Sequence, residues 1–288
     1  MLQRTIGNRT FAAIGLGGMP MSIEGRPDRA RAIATVHAAL DAGVTLIDTA
    51  DSYNRDADET GHNEVLIAEA IASYGGYTAD VMVATKGGLI RPGDGTWGKD
   101  GRPEHLKAAA KASAQRLGVE TIGLYQLHRP DWRVAYVDSL GAIRDLLDEG
   151  VIAMAGISNA DIDMIKLAQE VLGGRLVSVQ NQFSPRYTSS YNELQYCQEH
   201  GIAFLPWSPL GGISNARKLG SRTAFQEVAD AHGVSPQQVT LAWELALGDV
   251  VLPIPGASRP ESITDSAKAA ELELTPAQVD QLSAVLNP

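Results

Sequence analysis

Along the chain, short apolar runs rich in Val and Ile alternate with longer amphipathic stretches, a pattern that predicts strands alternating with helices. The strand candidates are AAIGLG (12–17), VTLID (44–48), VMVAT (81–85), IGLYQLH (122–128), AMAGIS (153–158), VSVQN (177–181), IAFLPW (202–207) and VVLPI (250–254). A helix-like segment follows each. Pro103, Ser235-Pro236 and Thr275-Pro276 mark helix starts, and Gly43, Gly118, Gly150 and Gly201 stand where left-handed caps would end helices. Parallel strands need helical crossovers, and about eight such units predict a closed (β/α)₈ TIM barrel of the α/β class. Ahead of them, LQRTIGNRTF reads as a hairpin turning at Gly7 and Asn8, placed to cap the barrel bottom.

Two connections exceed the usual length: RPGDGTWGKDGR at 91–102, and the segment near 212–221 that carries Arg217 and Lys218. Both follow strand carboxyl ends, where barrel active sites are built. No composition shift or low-complexity run divides the chain, so residues 1–288 are expected to form a single barrel domain.

Composition narrows the setting more than the chemistry. The 288 residues are 44% hydrophobic and 20% charged, ordinary for a globular enzyme. Cys197 is the only cysteine, the start MLQRTIGNRTF lacks an apolar signal core, and no apolar run approaches the roughly 18 residues of a membrane span. A cytoplasmic location without membrane contact is expected. A formal charge of −10 disfavours nucleic-acid partners while leaving room for a compact basic site for a small anion.

Polar residues gather at the predicted strand ends: Asp48 and Tyr53 after the second, Lys86 after the third, His128 after the fourth. Singly, each has an ordinary explanation as a turn cap, a packing residue, a surface cation or a backbone-satisfied histidine. On three consecutive strands of a barrel they would meet at one rim. Carbonyl reduction by hydride transfer requires an acid that protonates the developing alkoxide, and a tyrosine serves if its acidity suits neutral pH. An unperturbed phenol titrates near ~10, and a lysine cation about 4 Å away contributes roughly 4 kcal/mol at an effective dielectric of 20, at most ~3 pKa units before desolvation is subtracted. Lys86 would supply that field, Asp48 would keep the ammonium charged and oriented, and His128 would hold the carbonyl oxygen. Asp51 reads as structural.

The same residues carry a resemblance that runs almost end to end. "IDTADSYN", "VATKGG", "LYQLHRPD", "GISNA", "VSVQNQFSP", "FLPWSPLGG" and "PIPGASRPESI" follow in the order seen in aldo-keto reductases, and the chain resembles that family. The resemblance implies a catalytic tetrad of Asp48, Tyr53, Lys86 and His128 and a nicotinamide cofactor. Gly18 and Met19 would approach its ribose. Asp48 borders the same site, Ser158, Asn159 and Gln180 would hold the carboxamide, and Trp207 would stack on the ring. Ser208, Leu210 and Gly211 would run along the pyrophosphate, with Ser258 and Arg259 at a 2′-phosphate. GLGGMP at 15–20 is not a Rossmann fingerprint, because Pro20 replaces the third glycine.

Family members often carry further cations in the adenosine loop where this chain has Gly256, Ala257, Ser262 and Ser266, so NADPH is expected through Arg259 and NADH is possible. Met21, Trp97, Trp132 and Tyr187 are candidates for an apolar substrate pocket, no carboxylate-binding Arg stands out, and small aldehydes or ketones are the expected substrates. Three other readings stay open. One is a nucleotide-binding redox-sensing regulatory subunit on the same barrel, as in potassium-channel β subunits. Another is an aldolase-like Schiff base at Lys86. The third is a metal hydrolase, against which stands the lack of paired His spacing among the six histidines.

Overall fold

The computed structural model of the chain describes residues 2–212 and 223–286. Strands β1 (Gln3–Ile6) and β2 (Arg9–Ala12) pair antiparallel with Ile6 opposite Arg9, leaving Gly7-Asn8 as a two-residue turn. Gly7 has φ 59°, and a Cβ there would lie 2.9 Å from the Met154 sulfur, so the turn requires glycine.

The alternation then begins. Strand β3 (Leu16–Gly17) leads to α1 (Arg29–Asp41), and β4 (Leu46–Asp48) to α2 (His62–Ser73). Next come β5 (Met82–Gly87), β6 (Leu89–Ile90), β7 (Gly98–Lys99) and α3 (Pro103–Leu117). Strand β8 (Leu124–Leu127) leads to α4 (Tyr136–Asp148), β9 (Ala155–Ser158) to α5 (Ile162–Val171), and β10 (Leu176–Gln180) to α6 (Tyr191–His200). After β11 (Ala203–Phe204) come α7 (Thr223–His232), α8 (Pro236–Ala246), α9 (Pro260–Ala267) and α10 (Pro276–Ser283). The helix starts and glycine ends read from the sequence hold: Pro103, Pro236 and Pro276 each open a helix, and Gly43, Gly118, Gly150 and Gly201 all have positive φ.

Seven strands lie side by side, all parallel, in the order β3-β4-β5-β8-β9-β10-β11. The eighth predicted strand closes the barrel without forming a regular ladder. Val251 bridges Phe204 on one side and Gly256 bridges Gly17 on the other. The N–H groups of Leu252 and Ile254 donate to the carbonyls of Phe204 and Pro206, while Gly15 and Gly17 donate to those of Pro253 and Pro255. The two prolines sit on the edge that faces β3 and have no N–H, so the return bond across that seam among the described residues comes from Ala257, whose N–H donates to the Gly17 carbonyl at 3.4 Å. The fold is a (β/α)₈ barrel with the hairpin at its bottom.

Helix faces follow the 3.6-residue period: α1 buries Ala32, Thr35, Val36 and Ala39, and Asp28 caps its first turn by accepting from the Arg31 N–H. In α8 every residue from Gln238 to Leu245 is buried, because α7 and α10 pack over its outer side. Among the described residues no helix is long and apolar enough to cross a membrane. The 91–102 connection, expected as a loop, is partly ordered by pairing of β6 with β7, and buried Arg91 ties its base to the Asn54 carbonyl at 2.9 Å and to Glu24.

The two-residue period of the strands decides what reaches the interior. Leu46, Met82, Ala84, Leu124, Ala203, Leu205 and Leu252 fill the barrel together with Ile6 and Phe11 of the hairpin. Continuing in the same register toward the carboxyl ends, those strands bring up Asp48, Lys86, His128 and Trp207, with Ser158 and Gln180 at the ends of β9 and β10. The apolar plug therefore has a polar layer above it.

Candidate active site

Lys86 is fully buried, and its Nζ donates to three acceptors: Asp48 Oδ1 at 2.5 Å, the Thr49 carbonyl at 2.8 Å and Tyr53 Oη at 3.1 Å. Three acceptors for three N–H bonds define an ammonium. Burial alone would pull the lysine pKa down, but Asp48 and Tyr53 more than offset it and the net shift is upward. Burial pushes the Asp48 carboxyl up, against the pull of Lys86, of Gln180 donating at 2.8 Å and of Gln126 at 3.5 Å. The pair is ionised, with the charge localised by this network.

Since the Tyr53 oxygen accepts from Lys86, the phenolic proton is left to point elsewhere, and the residue lines an open cavity. The expected net acidification of this phenol is not found. Its pKa is raised: burial is the largest effect, the Lys86 ammonium opposes it, and the Asp48 carboxylate adds to the rise. Desolvation penalises a phenolate more than one nearby cation, partly neutralised by its own counterion, can recover. Tyr53 therefore holds its proton at neutral pH and is an acid ready to donate. The His128 ring stands edge-on to that of Tyr53 with centroids 5.6 Å apart. Burial, with Lys86 and Arg129 adding to it, puts its pKa well below the usual histidine value, so the imidazole is neutral, and its Nδ1 has no partner among the described residues.

The cavity has a volume of about 560 Å³. Asp48, Tyr53 and His128 lie along it with Met19, Ser158, Asn159, Gln180, Trp207, Ser208 and Leu210. Two of these residues are non-glycines with positive φ, Asn159 at 59° and Ser208 at 53°, and such conformations concentrate where a site imposes its own geometry. Asn159 is held there by donating from Nδ2 to the His128 carbonyl and to Ser158 Oγ. Lys86 is behind Tyr53 and does not face the opening.

Other residues singled out from the sequence fall elsewhere. Gly18 turns its Cα toward Asn63 Oδ1 and the Asp48 carbonyl, and Asn63 Nδ2 donates to the Gly18 carbonyl at 2.9 Å; this glycine lets the first two βα loops lock together rather than lining the cavity. Gly211 borders the cavity residues Leu210 and Gly212 and donates its N–H to the Ser208 carbonyl. Ser258 is half-buried and Arg259 exposed at the start of α9, where Arg259 Nε donates to Ser262 Oγ at 2.8 Å. Of the four pocket candidates only Trp97 lines the cavity. Met21 is buried in the apolar cluster that joins α1 and α2, Tyr187 lies outside the lining, and Trp132 is 85% exposed beneath the Lys99 ammonium. Arg217 and Lys218 lie outside the described residues.

The sequence reasoning missed two features. Arg129, directly after His128, and Lys99, in the β6–β7 hairpin, both line the cavity. Asp51, read from the sequence as structural, is buried with Oδ1 unpartnered, and its pKa is driven from 3.8 to about 8 by burial and by the Glu64 carboxylate. Glu64 in turn accepts from Thr85 Oγ1 at 2.5 Å and Arg116 Nε at 2.6 Å. Between about pH 4 and 8 the folded protein keeps a proton on Asp51 that the unfolded chain releases, so this group makes stability fall as pH rises. Asp51→Asn is expected to make the stability curve shallower over that window by up to about 1.4 kcal/mol per pH unit. Denaturant unfolding of both proteins at several pH values measures it; parallel curves would show that Asp51 is ionised in the fold.

Comparison with known proteins gives the family. The model of the Aldo/keto reductase family matches residues 13–287. An uncharacterized oxidoreductase of Schizosaccharomyces pombe is 34% identical over 274 residues, covering 94% of this chain and 85% of its own length. A 6-dehydroglucose reductase of Novosphingobium aromaticivorans is 32% identical over 251 residues, covering 84% and 81%. The crystal structure of an aldo/keto reductase from Klebsiella pneumoniae with NADP and acetate superposes with a TM-score of 0.82 at 25% identity, covering 99% of this chain and 95% of that one. The ordered lysine, phenol and carboxylate thus sit in a chain that belongs to the aldo/keto reductase family and is an NAD(P)H-dependent oxidoreductase.

Proposed function

We propose that the protein reduces aldehydes or ketones to alcohols, with NADPH as hydride donor and Tyr53 as proton donor, and that residues 1–288 act as one barrel domain. The observation that carries this reading is the 3.1 Å contact in which Lys86 donates to a phenol that keeps its own proton and borders the cavity. A bound nicotinamide dinucleotide supplies the hydride. Tyr53 passes its proton to the carbonyl oxygen, and Lys86 then faces a phenolate, which it stabilises without moving. Neutral His128 donates a hydrogen bond that orients the same oxygen. Asp48 holds Lys86 in position.

The donor set suits a nicotinamide. With their amide nitrogens committed to Asp48, His128 and Ser158, Gln180 and Asn159 make no hydrogen bond through their side-chain oxygens among the described residues, leaving two acceptors for a carboxamide NH₂. Trp207 Nε1 is buried and unpartnered beside them. Trp207 would cover the ring, Met19 would meet the ribose, and Ser208, Leu210 and Gly211 would follow the pyrophosphate. At the far end Ser258 and Arg259, at the amino terminus of α9, would hold the 2′-phosphate.

Steady-state oxidation of NADPH and NADH with a panel of aldehydes tests the reading; absence of turnover with every aldehyde would overturn it. Arg259→Ala is expected to weaken NADPH by about ten- to a hundredfold, the loss of one charge-assisted hydrogen-bonding group, and NADH much less. Fluorescence titration of both dinucleotides measures this, and equal losses would remove Arg259 from 2′-phosphate recognition.

A further inference from the structure

The cavity carries more positive charge than the reaction needs. Arg129 is half-buried there, its guanidinium 5.8 Å from the Trp207 ring centre, and Lys99 reaches the same cavity from the β6–β7 hairpin. Among the described residues no ion pair or side-chain hydrogen bond involves either head group; each rests on an aromatic face, Arg129 on Trp207 and Lys99 on the exposed Trp132 at 3.5 Å. The nearby carboxylates are committed elsewhere. Asp131 accepts from Arg133 through both oxygens and from the Gly101 N–H, and Asp48 is taken by Lys86 and Gln180. Burial, and then Arg129, lowers the Lys99 pKa, so the two cations repel one another across the opening.

Two mutually repelling cations, one of them half-desolvated, in a chain of net charge −10 are costly unless an anion completes the site. Both line the cavity that holds Tyr53 and His128; Arg129 follows His128 directly, and its charge is felt at the Tyr53 phenol. The 2′-phosphate candidate Arg259 is on a different element, at the start of α9. We propose that the substrate is an anionic carbonyl compound whose carboxylate or phosphate is held between Arg129 and Lys99 while its carbonyl meets Tyr53 and His128. The inference rests on the carbonyl-reductase reading and names its substrate class. Trp97 closes the side of the same pocket, so the chain joining anion and carbonyl packs against an aromatic wall.

Matched pairs separate charge from shape: succinic semialdehyde against butanal, para-carboxybenzaldehyde against para-methylbenzaldehyde, and glycolaldehyde phosphate against glycolaldehyde. The wild-type kcat/KM ratio of charged to uncharged partner is expected to exceed about tenfold for at least one anion type and to fall toward one in Arg129→Met/Lys99→Met, mainly through KM. Arg129→Lys, which keeps the charge and loses the fork, should retain part of the ratio. Propionate, which cannot be reduced, should compete with butanal in the wild type and lose that competition in the double variant. Ratios near one for all three pairs, with butanal still reduced, would overturn the anion site and leave carbonyl reduction standing. Loss of NADPH affinity in the double variant with unchanged ratios would assign the cations to the dinucleotide and likewise overturn it. No turnover of any aldehyde would sink both.

Discussion

Tyr53→Phe is expected to lower kcat for aldehyde reduction by about 10²–10⁴-fold, the usual worth of a positioned general acid, with dinucleotide affinity nearly unchanged. The ring keeps its packing against His128, and only the oxygen is lost. Without it Lys86 has two acceptors in place of three, and the phenolic proton donor to the carbonyl oxygen is gone. Because burial keeps the wild-type phenol protonated, the reduction rate of the wild type should stay level across neutral pH and decline only above the ordinary tyrosine range. Stopped-flow measurement of NADPH oxidation at saturating aldehyde gives kcat directly. A variant within a few-fold of wild type would place the proton donor elsewhere.

The second large effect concerns stability as much as rate. Asp48→Asn removes the carboxylate that pairs with a fully buried ammonium and is expected to cost about 3–5 kcal/mol of unfolding free energy at neutral pH. The sign of its pH dependence is fixed. In the wild type the Lys86 pKa is raised, so its contribution is fully present below the ordinary lysine value of 10.5 and is lost only as pH climbs through the folded value. Without Asp48, burial dominates and the folded lysine prefers to be neutral, so the variant gains stability as pH rises toward 10.5. The gap between the two proteins should therefore narrow between neutral and alkaline pH. Urea unfolding at several pH values reads the gap; a constant difference, or one below about 1 kcal/mol, would mean that the lysine charge is not what Asp48 supports. Turnover should fall in parallel, since a neutral Lys86 cannot stabilise a phenolate.

Much of this was legible in the sequence because strand parity is. Counting two residues at a time from Leu46 and Met82 leads to Asp48 and Lys86, and four from Leu124 to His128, so inward orientation follows once the strands are known. The closing strand was legible as apolar sequence but not as a seam, since the effect of Pro253 and Pro255 depends on which neighbour each faces. The pocket aromatics were the weakest part. Met21, Trp132 and Tyr187 were placed by proximity along the chain, whereas the walls are set by how far each loop folds back, as the pairing of β6 with β7 shows for Trp97 and Lys99. Arg129 was printed beside His128 all along. That it pairs with no carboxylate among the described residues is a fact of three dimensions. So is the balance between burial and Lys86 at Tyr53, since the cost of burying a phenolate depends on how the surrounding chain packs.

The proline-limited seam has a thermodynamic corollary. Met19 and Gly256 border one cavity from opposite sides of the join between the first strand and the last. A ligand touching both is a cross-brace between the first and last strands, holding the barrel shut at the join where Pro253 and Pro255 have no N–H to donate. By mass action such a ligand would favour the closed wall over transient breathing, so filling the cavity and stiffening the cylinder become a single equilibrium.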